Sequence, residues 1–272
     1  NAAVGTGLGC NPTATIPDHL ARAWPGTVLA GEPEPLTGGF WASMYRLRVD
    51  GQPPGVPADL VFRIAPDATM GAKELAVQRT VAALGFPTPT VRLPAAQAAV
   101  DGTWSVMDFA TGSPLLGDLG GIAALRRVVG LLRRLPGQLA EPMARLHALD
   151  PSSVTAAVAA AAPTVVWDVR RLLEQLEAGA SAVERPDLAL AVRTLARQRP
   201  ASGVAVVCHG DLHPFNLIET GDGPVLIDWT VAAIAHPAFT LSFTELMLAN
   251  PPVALPGLGV GGLRPLGRRI AR

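Results

Sequence analysis

Lysine is almost missing from this sequence: Lys73 is the only one, and every other basic residue is arginine. A GC-rich genome produces that bias, so an arginine here carries less chemical meaning than its type suggests. Excess charge is missing too. The 22 basic and 22 acidic residues cancel to a formal net charge of +0, which gives no electrostatic footing for nucleic acid or an anionic membrane surface. Cysteine is scarce: Cys10 and Cys208 are far apart and carry no metal-binding spacing. A disulfide framework is therefore not expected, and a reducing cytoplasm is the simplest compartment. The two long uncharged stretches, Pro151 to Trp167 and Leu246 to Leu263, are both interrupted by proline. Neither makes a credible membrane span. The opening NAAVGTGLGCNPTATIP has no basic segment leading into a continuous apolar one, so no signal peptide is expected. It also begins without methionine, and trimming at either end is left open. Neither a G-x-S-x-G nucleophile motif nor a helical H-E-x-x-H motif occurs.

What remains is ample material for a core. Hydrophobic residues make up 49% of the 272 and charged residues 16%, enough for one large domain or two lobes. Phe40 to Val49 (FWASMYRLRV) and Leu60 to Ile64 (LVFRI) read as two strands joined by the long Gly/Pro-rich loop DGQPPGVPAD. Gly71 to Leu84 has helical periodicity with Val77, Val81 and Leu84 on one face. Glu74 falls at the edge of that face, an odd place for a charge without a partner. Gln97 to Val100, Asp101-Gly102 and Thr103 to Met107 give a tight-hairpin signal. Helices are expected at Ile122–Leu135, Pro142–Leu149, Trp167–Ala178 and Asp187–Arg199, and short strands at Val204–Cys208, Leu217–Glu219 and Val225–Asp228. The pattern is a small, mainly β lobe, a linker and a larger helical lobe.

The chemistry concentrates in VVCHGDLHPFNL, Val206 to Leu217. A metal reading of His209 and His213 is weak. Gly210 and Pro214 oppose a regular helix, a third protein ligand is lacking, and Cys208 would face the other side of a strand. Phosphoryl transfer fits better, because it needs a carboxylate for the attacking hydroxyl and oxygen ligands for Mg2+. Asp211 and Asn216 lie on one short loop, and VLIDW places Asp228 at the end of a hydrophobic strand twelve residues on. His209 is read as a brace for the loop, His213-Pro214 as turn-shaping, and Cys208 as a small buried hydrophobe.

H-G-D-x-x-x-x-N followed by I-D-W resembles the signature of the aminoglycoside phosphotransferase and choline kinase group. The resemblance runs from about Leu36 to Leu248. It implies an α+β, protein-kinase-like two-lobed fold: a small antiparallel β lobe with one inserted helix and a larger, mainly helical lobe. The implied divisions are an N-terminal extension at 1–35, an N-lobe at 36–107, a hinge at 108–114 and a C-lobe at 115–272. The same likeness makes Asp211 the catalytic base and Asn216 and Asp228 the Mg2+ ligands. LTGGFWASMY, with Gly38 and Gly39, resembles the family's phosphate loop, where backbone N–H groups approach phosphates unobstructed. VFRIA places Arg63 where the family's strand carries its phosphate-pairing base, and KELAVQRTVAAL places Glu74 where the next helix carries the acidic partner. Arginine is bulkier than the usual lysine and cannot lose its charge, but it still binds phosphate oxygens. Lys73 is a rival whose helix position favours solvent. VMDFATG resembles the hinge that holds the adenine, with Met107, Asp108 and Phe109 as exposed candidates. His147, in ARLHALDP, is read as structural.

The pattern also departs from the family. Members usually follow I-D-W with Gly-Asp-Pro and a further Asp, whereas IAHPAFTLSF has His236 and Thr240 there. Phe215 replaces a common glycine. The three oxygen-bearing residues are all kept, so the expected function is an ATP-dependent, or GTP-dependent, phosphotransferase acting on a hydroxyl of a small molecule, with Mg2+. The alternative is a catalytically impaired, pseudokinase-like nucleotide-binding or scaffold protein. Beyond Trp229 the only acid is Glu245, against four arginines. That favours a neutral or apolar alcohol, macrolide-like or metabolic, over a polycationic acceptor, unless Asp168, Glu174 and Glu177 compensate.

Overall fold

A computed structural model describes residues 12–36, 41–94, 103–115, 122–165, 169–198 and 203–249, with side chains of the long third helix described from Arg134 onward. The chain divides into two compact units, one formed by 1–71 and 90–109, the other by 72–89 and 110–272.

Unit 1 is built on an antiparallel sheet. Helix α1 (Ile16–Ala23) precedes β1 (Val28–Leu29), β2 (Glu34–Leu36), β3 (Ser43–Asp50) and β4 (Asp59–Ala65); the segment to Asp67 then leads into α2 (Ala68–Ala83). Strands β5 (Val91–Leu93) and β6 (Thr103–Asp108) complete the sheet, in the order β1-β3-β4-β6-β5 with β2 also paired to β3. The alternation in β3 explains its place: Leu47 and Val49 are buried while Arg48 and Asp50 face out. β4 is central and its apolar run is buried almost throughout, as expected for a strand flanked on both edges. Leu47, Val49, Leu60, Phe62 and Val106 form the core with Ile16 and Leu20 of α1. Those last two lie in the segment read from sequence as an extension. The Asp-Gly hairpin falls on 95–102, outside the described residues; β6 pairs with β4 and β5.

Unit 2 carries most of the helices. The Asp67 carboxylate accepts from the amides of Thr69 and Met70 and caps α2, and from Ala72 onward the helix packs in unit 2. Its buried face is Val77 and Val81, continued by Phe86. Leu84, expected on that face, is exposed instead. The helix ends at Ala83 and Gly85 turns the chain with φ +82°, so Phe86 takes the core position.

After β7 (Gly112–Pro114) comes α3 (Ile122–His147), one helix where two were expected. Pro136 and Pro142 each remove a hydrogen bond, yet Leu135, Leu139, Met143 and Leu146 recur on one face and all enter the core. Helix α4 (Pro151–Ala161), not expected, starts on Asp150, whose side chain accepts from Ser152 N at 3.0 Å. Helices α5 (Val169–Ala182) and α6 (Pro186–Gln198) follow. Among the described residues no helix is long and apolar enough to cross a membrane.

Candidate active site

Two small sheets set the site. Strand β8 (Val206–Cys208) is wholly buried and pairs with β11 (Ala233–Ala235), Cys208 opposite Ala233. Strands β9 (Leu217–Thr220) and β10 (Gly223–Leu226) form a hairpin that pairs Leu217 with Leu226 and adds β7 at the other edge of β9. Beyond the paired ends, Ile227 N donates to Asn216 O at 3.0 Å. Asn216 and Asp228 therefore leave the same end of one hairpin. The last element, α7 (Ala238–Ala249), braces the loop from behind: Thr244 Oγ1 donates to Leu212 O at 2.6 Å.

His209 is fully buried and ties the loop together. Its Nδ1 accepts from Asp211 N at 3.3 Å, so the proton belongs on Nε2, which donates to Ile227 O at 3.0 Å. The ring also stands edge-on to Trp229, centroids 4.8 Å apart. Burial pushes its pKa from 6.5 down to about 4, against the attraction of Asp228 and Asp211. Unfolded chain binds this proton between pH 6.5 and 4 and the folded protein does not. Stability from this group is thus complete above pH 6.5 and lost as pH falls towards 4, by about 3 kcal/mol. Denaturant unfolding at pH 7 and pH 4.5 should show this slope, and His209→Gln should flatten it although that variant is less stable at pH 7. An unchanged slope in the variant would assign the acid sensitivity to other groups.

Gly210 follows with φ +80°, and a Cβ there would meet Val231 O at 2.5 Å and the Phe239 ring at 3.1 Å. Only glycine satisfies both constraints. Gly210→Ala is expected to cost about 3 kcal/mol of stability, read as a lower denaturation midpoint.

Asp211 has a polar neighbour at each carboxylate oxygen. Asn216 Nδ2 donates to Asp211 Oδ2 at 3.1 Å and to its main-chain carbonyl at 2.9 Å. His213 Nε2 lies 3.3 Å from Oδ1. Because His213 Nδ1 accepts from Phe215 N at 3.2 Å, Nε2 is the ring nitrogen that faces Asp211. His213 shapes the turn and also stands beside the carboxylate, which keeps lone pairs for a further donor. With the Asn216 nitrogen spent on Asp211, its Oδ1 is the atom left for a cation.

Asp228 is exposed and adopts φ +65°, a left-handed conformation that Asp tolerates better than most residues. Its Oδ1 accepts from Thr230 Oγ1 at 2.7 Å and Thr230 N at 3.3 Å. The same hydroxyl lies 3.0 Å from Glu74 Oε2. Lys73 is not solvated, contrary to expectation. It is buried, its Nζ donates to Thr230 O at 2.8 Å, and burial lowers its pKa to about 8 despite the charge of Glu74. Trp229, between these residues, is fully buried and donates from Nε1 to Thr88 Oγ1 at 2.9 Å. A carboxylate and an amide oxygen suit Mg2+ as hard oxygen ligands. Among the described residues no three His, Cys, Asp or Glu side chains gather as a metal site.

In unit 1, Arg63 is buried in β4, opposite Ser105 of β6 and Met44 of β3. Met107, expected to be exposed, is buried, because β6 is paired on both edges. Asp108 accepts a bidentate contact from Arg92 at 2.6 and 2.8 Å, and its amide donates to Thr90 O. The Phe109 amide donates to Asp59 O, and the Arg46 guanidinium lies 4.4 Å from the Phe109 ring centre. Gly38 and Gly39 lie outside the described residues.

The antiparallel sheet followed by a mainly helical unit is a mixed α+β fold of the protein-kinase-like kind. Residues 32–247 match the Phosphotransferase enzyme family, and the chain belongs to it. None of the curated proteins matches the chain. Among solved structures it is similar to the GDP complex of aminoglycoside 2'-phosphotransferase-IIIa, with 20% identity over 86% of this chain and 78% of that one, TM-score 0.59. It is also similar to a ternary complex of aminoglycoside phosphotransferase APH(4)-Ia with ADP and hygromycin B, with 17% identity over 94% and 84%, TM-score 0.57. A third is the macrolide 2'-phosphotransferase of Brachybacterium faecium, with 19% identity over 94% and 82%, TM-score 0.54.

Three contributors to this site were not read from the sequence: the Thr230 hydroxyl, the Thr244 brace and the His213 contact to Asp211. Thr230 and His213 each stand two residues after the acid they contact, a local signal; the Thr244 brace, 32 residues from Leu212, has none.

Proposed function

We propose that this protein transfers the γ-phosphate of ATP, with GTP as the alternative donor, to a hydroxyl of a small molecule, using Mg2+. The observation that carries the reading is the Asp211–Asn216 pair at the open end of the β9–β10 hairpin that also delivers Asp228. Asp211 accepts the proton of the acceptor O–H as that oxygen bonds to the γ-phosphorus. The bond from phosphorus to the β–γ bridging oxygen breaks, and the nucleoside diphosphate leaves with that oxygen. Asn216 Oδ1 and the Asp228 carboxylate would hold Mg2+, which would neutralise triphosphate charge. Arg63 is assigned to phosphate oxygens, Glu74 to support of the phosphate-binding groups, and Gly38 and Gly39 to backbone contacts with the phosphates. Met107, Asp108 and Phe109 are assigned to the base. Since the amides of Asp108 and Phe109 are spent on Thr90 and Asp59, that contact falls to other backbone groups of the segment. No covalent enzyme intermediate is needed; positioning and electrostatics carry the reaction.

The acceptor proposed is a neutral or apolar alcohol. Of the acids that would serve a polycation, Glu177 is already paired with Arg193 at 3.0 Å. The cytoplasm is the proposed compartment, where nucleotide and Mg2+ are at hand and the buried Cys208 stays a thiol. The test is incubation of the protein with Mg2+ and ATP or GTP against a panel of macrolide, aminoglycoside and simple alcohols, scored by diphosphate release and phosphorylated product by mass. Phosphorylation of a neutral alcohol is the expected result. Transfer confined to aminoglycosides would overturn the acceptor class, and absence of nucleotide binding would overturn the whole reading.

A further inference from the structure

Every polar group of Thr230 is engaged. Its amide and hydroxyl both reach Asp228 Oδ1, at 3.3 and 2.7 Å. The hydroxyl also lies 3.0 Å from Glu74 Oε2, and the carbonyl accepts from Lys73 Nζ at 2.8 Å. Lys73 and Glu74 are adjacent on α2 and are 3% and 2% exposed, so neither contact is a solvated surface encounter. A hydroxyl has one proton, and here two carboxylates compete for it. The shorter contact favours Asp228. The ordinary reading of such a contact is an Asx-type turn, in which the hydroxyl only steadies the chain after a strand. That reading leaves the contact of the hydroxyl with a second carboxylate, and that of the carbonyl with a buried lysine, unexplained.

We propose that Thr230 is a positioning residue for Asp228 and couples it to α2. The hydroxyl and amide hold Oδ1, which leaves Oδ2 as the oxygen presented to the cation. A cation on Asp228 draws electron density from the carboxylate and weakens it as an acceptor. The hydroxyl proton then turns to Glu74, so loading of the cation site tightens the hold of α2 on residue 230. Lys73 keeps the main chain of residue 230 in place during that exchange. The inference rests on the assignment of Asp228 as a cation ligand.

The test compares the full-length protein with Thr230→Ser and Thr230→Val, measuring binding of a fluorescent ADP analogue and turnover, each across a Mg2+ titration. Valine keeps the shape and removes the proton; serine keeps the proton. Thr230→Val should raise the half-saturating Mg2+ about tenfold in both readouts, and Thr230→Ser should stay within about twofold of the parent. Should the valine variant fold poorly, Thr230→Ala is expected to show the same shift. Wild-type Mg2+ dependence in the valine or alanine variant would overturn the proposal, as would a serine variant equally impaired. Asp228→Asn in the same binding assay separates the two levels. If it keeps normal Mg2+-dependent binding, the cation-ligand assignment falls. If it loses that dependence while the Thr230 variants keep it, only the positioning role falls.

Discussion

Asp211→Asn should lower turnover by about three orders of magnitude while nucleotide affinity stays within about twofold, since a positioned general base contributes roughly 10²–10⁴. The amide is nearly isosteric with the carboxylate, and its oxygen still accepts from Asn216 Nδ2. The bond from Asn216 Nδ2 to the main-chain carbonyl of residue 211 is untouched. The loop is therefore kept. What is lost is proton affinity: an amide cannot take the proton of an attacking hydroxyl. The amide would still stand beside the His213 ring. Steady-state turnover together with nucleotide binding by titration calorimetry decides the matter. Full turnover in this variant would remove Asp211 from the role of base.

Asp228→Asn is the second large effect. Asparagine adopts left-handed φ as readily as aspartate, and its oxygen still accepts from Thr230. Stability should therefore stay within about 1 kcal/mol of the parent. The negative charge that would face the cation is gone, and electrostatic stabilisation of the transferring phosphoryl group goes with it. Turnover should fall by about 10³-fold or more, and Mg2+ should no longer strengthen nucleotide binding. A chemical denaturation curve run alongside separates lost chemistry from lost fold. A variant that is stable yet still strengthened by Mg2+ would show that the cation is held elsewhere.

Much of this was legible because it is local. Asp211 and Asn216 are five residues apart on a loop too short to separate them, and the β9–β10 hairpin returns the chain to Asp228 by simple strand pairing. The strand pair β3–β4 followed from alternation and from an apolar run with one arginine. Where reading failed, the reason differs from element to element. Pro136 and Pro142 suggested a break, but one face of α3 is anchored in the core along its described length. Leu84 fitted the helical period, but a glycine turn one residue later handed its place to Phe86. Helix α4 has a clear start at Asp150-Pro151, yet its Ala-rich sequence lacks the amphipathic contrast that periodicity detects.

Lys73 is the clearest failure. Its neighbours in sequence mark it as a helix-surface cation, and only a carbonyl 157 residues away explains its burial. The Thr230–Glu74 contact spans 156 residues and the Trp229–Thr88 contact 141. A hydrogen bond of that reach leaves no spacing to read. The sequence by itself determined which groups are the candidates for proton exchange and cation binding, because those sit within one loop and one hairpin. Only the tertiary structure decided which residues hold them in place. Burial, and the need of every buried polar group for a partner, depend on what the rest of the chain brings alongside.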